Sequence, residues 1–83
     1  MNTIDAVKLI KIVRPAALAG LYTMPHNRPC TARQICGPAV WNNLTKGQRI
    51  NAGHVLRAIV ALGYVELKAA GKSSSNHLLY VLA

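Results

Sequence analysis

The sequence predicts an α+β domain that is helical over most of its length and closes with a β-hairpin. Three observations predict it. Apolar residues recur at helical spacing over 4–24 and again over 46–62. Thr45 and Gln48 stand three residues apart just ahead of the second run, the spacing of a capping box, and Gly63 stands where that helix would stop. Beyond it, two β-compatible stretches, 64–68 and 77–82, flank a small, polar, glycine-containing segment, 69–76. With 83 residues and no linker or internal repeat, the chain is expected to be a single domain, 1–83.

The first helix is expected over 4–24, capped by Thr3, with Asp5 in the first turn where a carboxylate opposes the helix dipole. Ala6, Leu9, Ile10 and Val13 form its inward side, and Lys8, Lys11 and Arg14 its outward side. Pro15 removes one helical hydrogen bond and crowds the preceding turn, so a kink or break is expected there. The small residues of 16–20 allow a second helix to approach closely.

A short extended segment is expected at 28–30. Thr31 then caps a brief helix over 32–36 that turns Ile35 and Cys36 inward. Gly37 and Pro38 end it, and a further helical turn over 39–43 places Trp41 and Leu44 against the core. The long helix runs from 46 to 62 with Ala52, Val55, Leu56, Ile59 and Leu62 inside. Lys46, Asn51, His54 and Arg57 face outward, and Arg49 sits at the edge of the apolar stripe. The hairpin follows, with Lys72 and three serines at its tip.

Charge narrows the choice of partner. Ten Lys or Arg stand against two acids, Asp5 and Glu66, giving a formal net charge of +8. Such an excess repels itself in a compact chain and favours an anionic partner. Nucleic acid leads, because neutralised phosphates release counterions; an anionic membrane surface or an acidic protein also fits. No run of 18 apolar residues spans a membrane. Lys8, Lys11 and Arg14 interrupt the N-terminal apolar stretch, unlike a signal peptide. A cytoplasmic location is therefore expected, with Cys30 and Cys36 as reduced thiols.

The stretch Ile59-Val60-Ala61-Leu62-Gly63-Tyr64-Val65 resembles the passage from recognition helix to first wing strand in bacterial and phage winged-helix regulators. Those proteins commonly show an aliphatic residue, two variable ones, then leucine, glycine, an aromatic or aliphatic residue and valine. Thr31-Ala32-Arg33-Gln34-Ile35 resembles the start of their second helix. The likeness covers residues 30–82, and it departs at 37–46, a longer connection than the usual tight turn. It implies a winged helix-turn-helix of three or four helices with a C-terminal β-hairpin wing. The fold hosts many functions, so the function has to be read from the residues presented.

Read so, the chain is expected to be a small, non-enzymatic double-stranded DNA-binding protein, a transcriptional regulator of phage or mobile-element type. The helix 46–62 would enter the major groove, where base edges carry a distinguishable donor and acceptor pattern. Arg49 and Asn51 are the expected base readers, Lys46 and Gln48 the positioning or mixed contacts, and His54 and Arg57 backbone contacts. Lys68 and Lys72 on the wing 69–76 and its approach, and Arg28 and Arg33 beside the second helix, would hold phosphates and fix register. Gln48 has a competing role in the capping box. A homodimer suits a two-fold operator, with 16–21 as candidate interface. The alternative is a protein-interaction module whose basic face takes an acidic protein partner; RNA or non-specific nucleic-acid binding is a third reading.

Other chemistry is poorly provided for. Cys30 and Cys36 are separated by five residues and His26, His54 and His77 are scattered, so no metal site is expected and no cofactor. Two lone carboxylates do not build paired acid–base catalysis or an acid-oriented triad. Tyr22, Tyr64, Tyr80 and Trp41 are expected as core or interface aromatics rather than as a base-stacking platform.

Overall fold

A computed structural model describes residues 3–25 and 28–83. Four helices and three strands follow in the order α1 (Thr3–Leu21), β1 (Cys30–Thr31), α2 (Ala32–Cys36), α3 (Pro38–Trp41), α4 (Lys46–Ala61), β2 (Leu67–Lys72) and β3 (Leu78–Leu82). The strands form one antiparallel sheet in the order β1-β3-β2. The class is α+β, as the hydrophobic patterning predicts.

Of the kink or break expected at Pro15, the break does not occur: α1 runs on through it as one helix. Its buried stripe is Leu9, Val13 and Ala17, one residue every helical turn on both sides of the proline. Burial on either side holds the helix together although Pro15 cannot donate a hydrogen bond. Ile10, expected inside, is on the outward side, because the stripe advances by fours and leaves position 10 rotated away from it. The cap expected from Thr3 rests on a side chain outside those described.

The small residues near the end of α1 serve intramolecular packing. Ala17 and Gly20 are buried, and a Cβ at Gly20 would run into the carbonyl oxygen of Ile35. Within the candidate interface 16–21, Ala17 and Gly20 are thus packed inside the domain, and Leu18 and Ala19 are exposed.

Both shorter and longer capping signals act as the sequence suggests. Thr31 Oγ1 accepts from the Gln34 backbone N–H, and Gln34 Oε1 accepts in return from the Thr31 N–H at 2.9 Å. The same exchange joins Thr45 and Gln48, at 3.2 and 2.8 Å. Between them, Gly37 (φ +84°) reverses the chain and α3 fills the long connection, with Trp41 half-buried and Leu44 buried. α4 buries Ala52, Val55, Leu56 and Ile59. Leu62, expected inside, is 67% exposed: it follows the last helical turn, which has passed the end of the core. Gly63 takes the left-handed conformation (φ +80°), as its position after the helix suggests.

The hairpin is displaced from its expected bounds. β2 begins at Leu67 rather than Tyr64 and continues to Lys72, so the connection shrinks from 69–76 to 73–77. Ser73 closes that turn, its N–H donating to the His77 carbonyl at 2.8 Å and its Oγ accepting from the His77 N–H. The register shifts between Ala69 and Lys72, where Gly71 has φ +92°. Only Leu67 of β2 is buried and the rest of that strand is exposed, whereas β3 is half-buried and places Tyr80 in the core. β1 is shorter than expected at its start and pairs Cys30 with Tyr80.

Leu9, Val13, Ala17, Ile35, Val55, Leu56, Ile59, Val65, Leu67 and Tyr80 belong to one buried cluster that α1, α2, α4 and the sheet surround. The aromatic residues divide: Tyr80 is buried, whereas Tyr22 is 92% exposed and Tyr64 lies beneath the Arg14 guanidinium at 5.3 Å from ring centroid to carbon.

Candidate functional site: a basic cleft between the long helix and the hairpin

A cleft of about 790 Å³ opens where one flank of α4 faces α2 and the start of β3. α4 contributes Lys46, Arg49, Ile50, Gly53, His54 and Arg57. α2 and its cap contribute Thr31 through Gln34, α3 contributes Trp41, and the hairpin contributes 76–78 and Tyr80. The α4 residues recur at three- and four-residue intervals, so helical geometry alone puts them on one flank.

Four cations, Arg33, Lys46, Arg49 and Arg57, therefore share one concavity, and no carboxylate lines it. Glu66 borders a different groove with Leu18 and Tyr22, and Asp5 lies on α1. The cleft combines a field of one sign with an apolar wall of Trp41, Ile50 and Leu78.

Not every expected binding residue comes to this place. Arg33, Lys46, Arg49, His54 and Arg57 do; Gln48, Asn51, Arg28, Lys68 and Lys72 do not line it. Asn51 is half-buried on the other flank of α4, out of step with the 46–49–50–53–57 series. Gln48 is engaged in the capping box through its Oε1. Lys68 and Lys72 are exposed on β2, and Arg28 is exposed just ahead of β1.

Arg49 is half-buried, and its Nε donates to the Trp41 carbonyl at 3.1 Å, tying α4 to α3. Part of its guanidinium is thus committed to the fold, and the remaining N–H groups carry whatever it offers to a partner.

Tyr80, Trp41 and His77 are site residues that sequence reasoning did not select. Tyr80 is 2% exposed, and its hydroxyl is buried with no hydrogen-bond partner among the described residues. Burial pushes the phenol above its ordinary pKa of 10.0, and the nearby charge of Arg57 works in the opposite direction.

The thiols belong to the core. Cys30 and Cys36 are buried and free, and Cys30 Sγ donates to the Arg28 carbonyl at 3.5 Å. Burial pushes the Cys36 thiol up to about 11. Among the described residues no three His, Cys, Asp or Glu side chains gather as a metal site. His26, one of the residues weighed for zinc, lies outside those described. No described helix is long and apolar enough to cross a membrane.

No family model, curated protein or solved structure matches the chain.

Proposed function

We propose that the chain is a winged-helix double-stranded DNA-binding protein without catalytic activity, a transcriptional regulator of phage or mobile-element type acting in the cytoplasm. One observation carries the reading: Arg33, Lys46, Arg49 and Arg57 converge on a cleft between the long helix and the hairpin from which carboxylates are missing. A phosphate backbone is the ligand that such a surface attracts most strongly. The order of elements and the β1-β3-β2 sheet support the architecture, and the exposed residues of β2 beyond Leu67 support a wing.

In this reading α4 lies against the duplex by its Lys46–Arg57 flank. Lys46 at the helix start and Arg57 three turns further on, about 16 Å along the axis, would each meet a phosphate. Arg49 and Ile50 occupy the part of the helix that reaches base edges in helix-turn-helix proteins. Lys72, beside the hairpin turn, and exposed Lys68 would bind the neighbouring backbone, as would Arg28. Asn51 reads a base only if the duplex also contacts the other flank of α4, so its substitution distinguishes two docking poses.

The test is binding to random-sequence duplex at two salt concentrations, followed by selection for preferred sequences. An enriched sequence, lost in Arg49→Lys, supports the proposal. Binding without enrichment reduces it to non-specific recognition. Absence of duplex binding at low salt overturns it and leaves an acidic protein partner as the reading to pursue.

A further inference from the structure

Of the ten Lys and Arg residues, only Lys8, Lys11 and Arg14 take no part in the DNA reading, and all three stand on α1. The buried stripe of that helix fixes which side they occupy. Leu9, Val13 and Ala17 face the core, so Ile4, Val7, Lys11, Arg14 and Leu18 form a second row turned away from it. These residues follow one another at intervals of three, four, three and four, the spacing of a coiled-coil seam. The apolar members are open to solvent, Ile4 to 67%, Val7 to 44% and Leu18 to 40%. A row of this spacing is what a partner helix packs against.

The row is apolar at both ends and cationic at its centre. Asp5, the one acid of α1, is rotated about 100° from Ile4 and stands off the row. Tyr22 is exposed one turn beyond Leu18, where Glu66 borders the groove that both line. Arg14 is held over the exposed ring of Tyr64, which widens the face with a further aromatic. From Ile4 to Leu18 the row runs about 21 Å, enough for two heptads of a partner.

The charges choose among occupants. A second copy laid along the row would bring Lys11 against the cations of its twin, and like charges across an interface are strongly disfavoured. A bilayer takes apolar residues into its acyl boundary and leaves cations in the headgroups; here the cations lie in the middle of the row, where insertion would carry them inward. Carboxylates opposite Lys11 and Arg14 satisfy both, and a charged residue within a seam selects its partner.

We propose that the outer face of α1 docks an amphipathic protein helix whose seam is apolar at its ends and acidic at its centre. Docking there does not depend on what fills the cleft, because no α1 residue lines the cleft. Together with the DNA reading, one copy holds a duplex and a protein helix at the same time.

The probe is a fluorescein-labelled synthetic helix of about three heptads, with leucine along its seam and glutamate at the central seam positions. A second peptide carries lysine in place of the glutamates. Anisotropy titrations are expected to saturate with the acidic peptide at least about tenfold tighter than with its lysine counterpart. Lys11→Glu is expected to reverse that preference, and Val7→Ser to weaken the acidic peptide about 5- to 10-fold. Lys46→Glu, the same change of charge placed in the cleft, is expected to shift the midpoint less than about threefold. No saturation up to about 1 mM acidic peptide, an unchanged midpoint in Val7→Ser, or equal shifts in Lys11→Glu and Lys46→Glu overturns the inference. So does binding to vesicles of phosphatidylserine and phosphatidylcholine, or a dimer in sedimentation, that is lost in Val7→Ser, since either gives the row another occupant.

A labelled duplex separates this site from the DNA assignment. Duplex affinity unchanged by saturating unlabelled peptide supports both. Displacement of the duplex places the peptide in the cleft and overturns the α1 site. Peptide binding without duplex binding sinks the DNA assignment alone.

Discussion

Gly20 of α1 lies against the carbonyl oxygen of Ile35 in α2, at a distance that leaves no room for a side chain. The obstacle is backbone, not the movable end of a side chain, so a methyl group cannot be absorbed by a rotamer change. Ile35 is itself 2% exposed and anchored in the core. Gly20→Ala gains helix propensity but forces α1 and α2 apart. The net effect is expected to be a loss of about 1–3 kcal/mol, the range for overpacking a close contact. Urea unfolding of the two proteins measures it; equal midpoints would show that the helices separate without cost.

Pro15 gives an opposite expectation. It is exposed within α1, off the buried stripe of Leu9, Val13 and Ala17. Alanine would restore a backbone donor and relieve the crowding against the preceding turn. Pro15→Ala should therefore stabilise the domain, by about 1–3 kcal/mol given the usual penalty for an interior proline. A rise in Tm of the variant checks this, and a fall would mean that proline's restriction of the unfolded chain outweighs the helix penalty.

These residues also show what was legible before any coordinates. The Thr31 cap and the Thr45–Gln48 capping box are local, and their chemistry is visible in the letters, whereas the return bond from Gln34 appears only in the structure. Continuity across Pro15 is not local. It depends on Leu9 and Val13 being buried together with Ala17 against α2 and α4, and tertiary burial outweighed the local breaker. The hairpin was misplaced for a related reason. Ala69 pairs as strand and Ala70 follows in the register shift, but both are exposed, so no alternation of apolar and polar residues announces them.

The site was half legible by the same measure. Lys46, Arg49 and Arg57 follow the helical repeat, and that repeat, applied strictly, would also have separated Asn51 from them. Trp41 and Tyr80 enter from α3 and β3, and no spacing in the sequence links either to α4. The unusual length of 37–46 was the only signal that Trp41 belonged elsewhere than in an ordinary turn.

Cys36 makes the stability depend on alkaline pH. Burial raises its thiol to about 11 from an ordinary 9.0 in the unfolded chain, so the folded state holds the proton more tightly. Its contribution is fully present below pH 9.0 and is lost as pH rises towards about 11. The raised phenol of Tyr80 acts in the same direction, starting at its ordinary 10.0. Denaturant midpoints should fall across this window, and the fall should be smaller in Cys36→Ala than in the parent. A fall of equal size in both proteins would remove Cys36 as a cause.

Lys46 and Asn51 give the sharpest separation of what the proposed DNA interface uses. Lys46 is exposed at the mouth of the cleft, and its side chain makes none of the hydrogen bonds that hold the Thr45 cap. Lys46→Ala should leave folding intact, weaken binding evenly across sequences, and reduce the slope of log K against log salt by about 1. Asn51 is neutral and lies on the opposite flank. Asn51→Ala should leave the salt slope unchanged, and it alters sequence preference only if the duplex embraces both sides of α4. Anisotropy titrations of one labelled duplex at several salt concentrations measure both slopes. Equal slopes for Lys46→Ala and the parent would place the phosphates away from this flank, because a cation that meets a phosphate must release a counterion when the complex forms.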